Sequence, residues 1–232
     1  MNFDLNWLIG LHIPSALLPT PLLWLANGLF LLVLIAAVRS APFRRLLARP
    51  ADQHVYFGAI VMLLMVWGVK AGISPGLGFH HLGAALFTLM FGWPLAVIGL
   101  STVLILSLTL QLPDWMSLGV NGVLSIYIPV MTAWGILKLS QKLLPDNFFI
   151  YIFVVAFFGA GVSIATSRLS AIVLLSLASV YPDAKLFEES LQYLPLFMFP
   201  EAFVTGMLIS VFVVYKPEWV ATFDDERYII GK

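Results

Sequence analysis

The chain of 232 residues contains no cysteine. Disulfides, iron–sulfur clusters and thiolate zinc sites are therefore excluded, and any metal must be held by nitrogen or oxygen. Charge is scarce as well: Asp, Glu, Lys and Arg make up 10% of the residues, against roughly 25% in a soluble domain. Basic and acidic residues number 12 each, so the formal net charge is zero and no basic run advertises a nucleic acid partner. There is no P-loop lysine motif, no H-E-x-x-H and no G-x-S-x-G, which leaves no apparatus for ATP or other hydrolysis, and no enzyme activity is expected. The first ten residues carry Asp4 and no basic residue, unlike the positive start of a cleavable signal peptide, so the first apolar run is expected to stay in the membrane. What fills the chain instead is apolar: 61% hydrophobic residues and a mean hydropathy of +0.99 place it in a bilayer.

An all-α polytopic membrane protein follows, because a helix of about 20 apolar residues crosses a hydrocarbon core. About seven spans are expected: 17–38, 55–69, 80–91, 95–110, 119–137, 148–180 and 191–215. The third is too short to cross without tilt or thinning. Gly92-Trp93-Pro94 separates it from the fourth, so the two could also form a re-entrant hairpin. Residues 181–190 read as a polar loop. Domain organisation is then an N-terminal extension and lead-in over 1–16, one membrane domain over 17–215 and a charged tail over 216–232. Placing Arg39, Arg44, Arg45, Arg49, Lys138, Lys142 and the basic residues after Tyr215 inside leaves Lys70 and Lys185 outside and Arg168 unassigned. The positive-inside rule thus puts the N-terminus outside and the C-terminus in the cytoplasm.

On that topology two of the four histidines, His80 and His81, follow the turn S-P-G-L-G at the start of the third helix, near the outer face. His12, in L-H-I-P-S-A-L-L-P, and Asn121 lie on the same side. Imidazole suits nickel, cobalt, copper and zinc. Adjacent residues on a helix point about 100° apart, so one of the pair faces the bundle while the other meets headgroups or a neighbouring carbonyl. Glu201, preceded by Pro200, sits about ten residues into the last span, and an ionisable group at that depth marks a site or a relay, or else is a carboxyl kept neutral or hydrogen-bonded to Asn121, Ser or Thr groups of neighbouring helices. Arg168 is expected to snorkel toward the interface rather than pair with Glu201, and His54 to lie at the interface.

Four segments in order resemble a known family, the CbiM-type cobalt/nickel substrate-binding membrane subunits of energy-coupling-factor transporters. They are Leu11 to Pro19, F-H-H-L-G-A at Phe79 to Ala84 with its following Gly92-Trp93 break, Gly119-Val120-Asn121, and P-E-A-F-V-T-G at Pro200 to Gly206. The resemblance implies a subunit of the prokaryotic inner membrane that captures Co2+ or Ni2+ from outside, without a tightly bound cofactor. Its partners would be a coupling transmembrane subunit and ATPase subunits. Carried over position by position, the metal ligands would be His12 and His80, with His81, Asn121 and Glu201 as accessory candidates. Two departures stand out. The family's first histidine follows the initiator methionine, whose amine also binds metal, whereas ten residues precede Leu11-His12 here, and the family's second asparagine is Leu124. A membrane assembly or sensor protein that keeps the fold without the metal site is the alternative reading.

Overall fold

A computed structural model describes residues 12–68, 74–78, 82–110 and 114–229. All regular structure among them is helical. The chain enters through the extended segment at His12 to Pro14 and a 3-10 turn at Ser15–Leu17, then forms α1 (Thr20–Ser40), α2 (Phe43–Ala48) and α3 (Pro50–Trp67). Next come α4 (Ala84–Leu110), a rod of α5 (Leu118–Gly122) and α6 (Ile128–Leu143) joined by a π-helical turn, and a second rod. That second rod runs from α7 (Phe148–Ile150) through π-helix Tyr151–Phe158 to α8 (Gly159–Leu177). Finally α9 (Asp183–Glu189), α10 (Leu194–Tyr215) and the short α11 (Asp225–Tyr228) close the chain. Among the described residues, five stretches are long and apolar enough to cross a membrane: Thr20–Ser40, Ala84–Leu110, Trp115–Leu143, Phe148–Leu177 and Asp183–Tyr215.

The α4 stretch is not straight. At Gly92, φ is 77° and ψ is 161°, a conformation that a Cβ would disfavour. In a continuous helix Phe87 and Gly99 would lie about 18 Å apart along the axis at 1.5 Å per residue. Here a Phe87 ring carbon comes within 3.0 Å of where a Cβ on Gly99 would sit. The chain therefore reverses at Gly92, and residues 84–91 fold back against the arm that starts at Trp93. Pro94 is tolerated because it begins that second arm, where its missing N–H breaks no helical bond.

Helix α1 buries only Leu23, Phe30 and Ala37, seven residues apart and so on one narrow stripe. Much of the remainder, including Trp24, Leu25 and Leu32, faces outward as a lipid-facing surface would. On its buried side α1 approaches α5 closely. A Cβ on Gly119 would stand 2.3 Å from the Asn27 backbone, and one on Gly122 2.5 Å from the Phe30 ring.

Several sequence expectations are corrected. The helix expected from His80 begins at Ala84, leaving Leu82 and Gly83 outside it. The expected polar loop over 181–190 contains α9. Arg168, within α8, is buried at 7% exposure rather than snorkelling. The reason is electrostatic: Glu201 on α10 supplies a countercharge within the bundle.

Contacts divide the molecule into two ends. At one, the N-terminal lead-in meets the loop before α5: the Ser15 amide donates to the Asp114 carboxylate (2.6 Å) and the Tyr181 hydroxyl donates to the Pro75 carbonyl (2.9 Å). Burial, aided by the nearby negative charge of Glu189, raises the pKa of that phenol and keeps it a donor. At the other end the tail folds over the α2 and α6 termini, with Arg227 Nε 2.7 Å from Asp146 Oδ1 and Gln141 donating to the Tyr228 hydroxyl.

Candidate metal centre

His12 is the best defined of the sequence-predicted ligands. It is 6% exposed, and the next residue is fixed by a two-way amide pair. The Ile13 amide donates to Asn121 Oδ1 at 2.9 Å, and Asn121 Nδ2 donates to the Ile13 carbonyl at 3.0 Å and to the Ser117 carbonyl at 2.9 Å. Asn121 itself is held where Gly119 and Gly122 let α1 approach. The Asn27 side chain reinforces that contact, accepting from the Gly119 amide and donating to the Met116 carbonyl.

Beneath His12 lies Trp67, the last residue of α3 and fully buried. The two rings are 5.7 Å apart between centroids and tilted by 52°. Trp67 Nε1 donates to the Leu82 carbonyl at 3.3 Å, linking the lead-in to the segment that precedes α4. That segment has its own anchor. Glu201 Oε2 accepts from the Leu82 amide at 2.9 Å and Oε1 from the Gly83 amide at 2.8 Å.

Both donors stand just before the first turn of α4, where unsatisfied amides and the helix dipole favour an anion. The left-handed Gly83, with φ of 65°, turns its amide into this position. Glu201 is 2% exposed and Arg168 lies near enough to act on it electrostatically, so the buried carboxylate has both hydrogen bonds and a countercharge.

His80 and His81 lie outside the described residues. On one side of them, Ile13 Cγ1 comes within 3.3 Å of a Cβ built on Gly76, and Leu77 packs in one buried cluster with Ile13. On the other side stands Leu82, joined through Trp67 to His12. The chain on each flank of the histidine pair is thus tied to the His12 segment. Among the described residues, no three His, Asp or Glu side chains cluster closely enough to hold a metal ion.

The accessory candidates Asn121 and Glu201 engage backbone amides and carbonyls on either side of the site, which suits them to positioning. Sequence reasoning passed over Asn27, Trp67 and Asp114 as parts of this assembly. A lone amide in the apolar α1 was a signal for Asn27; nothing local distinguishes Trp67 from an interfacial anchor.

The family profile described as the cobalt uptake substrate-specific transmembrane region, CbiM, matches residues 12–219. The chain belongs to the CbiM family. Its matched region begins at His12 and takes in both clamps. Two solved structures share the fold. One, described as a truncated transition metal transporter, has a TM-score of 0.72 at 20% identity, covering 88% of this chain and 99% of that one. The other, described as a transition metal transporter, has a TM-score of 0.64 at 20% identity, covering 87% of this chain and 92% of that one. No curated protein sequence matches the chain. Membership of CbiM makes this an integral membrane protein of a family built for metal uptake.

Proposed function

We propose that the chain is the substrate-binding membrane subunit of an energy-coupling-factor-type transporter, taking up a divalent transition-metal ion, cobalt or nickel. His12 and His80 hold the ion, and His81 lies close enough in sequence to assist. One observation carries the reading: Asn121 and Glu201, from different helices, clamp the backbone beside His12 and just after His81, and Trp67 bridges the two clamped segments. Such clamps hold ligands in place before the ion arrives, which lowers the ordering cost of binding.

The mechanism is capture without covalent chemistry. Neutral imidazoles replace part of the ion's water shell, so binding releases any proton they carry and weakens in acid. Glu201 holds the backbone, Asn121 holds the lead-in, and Trp67 excludes water beneath the ring of His12. Movement of the loaded subunit is then driven by a coupling transmembrane subunit and ATPase subunits. The lead-in end faces outside and the tail end the cytoplasm of a prokaryotic inner membrane. The chain crosses seven times, with residues 84–91 as a short third pass. It comprises the lead-in through residue 16, the membrane domain over 17–215 and the tail from 216.

Calorimetric titration of the purified full chain with nickel or cobalt tests this. The wild type is expected to bind one ion per chain, and His12→Ala and His80→Ala are each expected to weaken binding at least about tenfold, as loss of one ligand-positioning contact already does. Equal affinity in all three proteins would sink the assignment.

A further inference from the structure

Outside the metal region, a groove of about 520 Å³ opens between α3, residues 84–91 of α4, and α10. Its walls are Met62 and Val66, Leu86 and Met90, and Val204 and Leu208. Pockets of this size with such apolar walls are built to hold a ligand. Two features say what kind.

The first is length. Along α3 the groove runs from His54 to Val66, about 18 Å at 1.5 Å per residue, or a little over half of the roughly 30 Å hydrocarbon core. Toward its far end Leu63 and Gly83 come together, with Leu63 Cδ1 only 2.7 Å from a Cβ built on Gly83. A helix of another subunit would need a track through the whole core; a chain from a single leaflet fills this one.

The second is charge at the open end. The groove shares Val55, Met90 and Trp219 with a smaller hollow lined by Arg45, Asp52 and Glu218. One cation and two carboxylates line that hollow, with Lys216 Nζ 3.6 Å from Glu218 Oε1, and such mixed charge at the mouth of an apolar shaft matches a headgroup that carries both a phosphate and an ammonium. Trp219 stands where an interfacial indole meets headgroups.

We propose that this groove binds one acyl chain of an aminophospholipid from the leaflet at the tail end, its phosphate on Arg45 and its amine between Asp52 and Glu218. The site rests on the membrane placement of the fold and is independent of metal binding. Because residues 84–91 form one wall, the bound chain braces the short arm of α4 against α3 and α10.

Gly58 gives a clean test. It lines the groove, and a Cβ built there meets nothing within 4 Å, so the ring of Gly58→Phe is expected to occupy the shaft. The full chain, extracted from membranes in mild detergent and exchanged, is assayed for phospholipid per protein. The wild type is expected to retain about one aminophospholipid per chain. Gly58→Phe is expected to lower retention at least about tenfold, the equivalent of two methylenes no longer buried. Arg45→Gln is expected to lower retention of every phospholipid alike, whereas Asp52→Asn is expected to erase the preference for amine headgroups. A wild type free of lipid, or Gly58→Phe retaining as much as wild type, would overturn the proposal. A photo-crosslinking residue at position 58 gives an independent arm that holds even where Gly58→Phe fails to fold. A lipid adduct supports the site, and an adduct to another protein chain, or none, overturns it.

Discussion

A carboxylate in the middle of an apolar bundle persists only if its charge is met. Glu201 meets that condition with two backbone donors and Arg168. Glu201→Gln removes the charge, turns an NH2 group toward one of the two donors and leaves Arg168 buried without its countercharge. Breaking one partner of a buried pair costs about 3–5 kcal/mol, so a large fall in unfolding temperature is expected, measured in detergent by loss of helical circular dichroism. Glu201→Asp, which keeps the charge, should recover part of it. At Asn121 the expected effect falls on affinity: Asn121→Ala frees the Ile13 backbone, and metal affinity should drop about 10–100-fold, the usual cost of losing a group that orients a ligand. Unchanged affinity in a folded Asn121→Ala protein would contradict the clamp. Both residues were legible in the sequence as polar groups in apolar spans. Their roles were not, because their partners are backbone groups over a hundred residues away. Arg168 was misread for the same reason: a single-helix argument favours snorkelling, and its countercharge sits on α10.

Residues 84–91 span only about 12 Å as a helix, yet both ends are fixed. Glu201 holds the start, and the tail holds the finish, where the Ala221 and Thr222 amides donate to the Met90 and Leu89 carbonyls. The Thr222 hydroxyl also donates to Leu89. Those carbonyls are the ones a helix end leaves without partners. The break at Gly92-Trp93-Pro94 could be read from sequence, since glycine and proline mark chain reversal. The tail as its cap could not, because nothing in residues 216–229 announces that partner. Two sets of glycine variants separate structural demand from tolerance. Gly92→Ala should destabilise by about 1–3 kcal/mol through strain at positive φ, and Gly119→Ala by a similar amount through overlap with the α1 backbone. Gly28→Ala and Gly135→Ala, helical sites open to a methyl group, should be neutral or stabilising by up to about 1 kcal/mol. Thermal unfolding of the four variants in one detergent checks the order.

For the whole molecule, hydropathy and charge sufficed to read an all-helical membrane protein and the sharing of one end by His12 and Asn121. They overextended α4 toward His80 and missed α9, whose apolar face becomes visible only once it has a neighbour. Orientation can be measured directly because the native chain has no cysteine. Ala16→Cys and Asp225→Cys, both at exposed positions, are treated with a membrane-impermeant maleimide in intact cells. Labelling of Ala16→Cys alone is expected, with Asp225→Cys reacting only after permeabilisation. The reverse pattern would invert the direction of capture. The central claim, that histidines brought together by two distant clamps hold the transported ion, is tested most directly by X-ray absorption at the metal edge of the cobalt- or nickel-loaded full chain. The expected spectrum shows imidazole scattering that weakens in His12→Ala and again in His80→Ala. A spectrum with no imidazole contribution, or one unchanged in both variants, would contradict it.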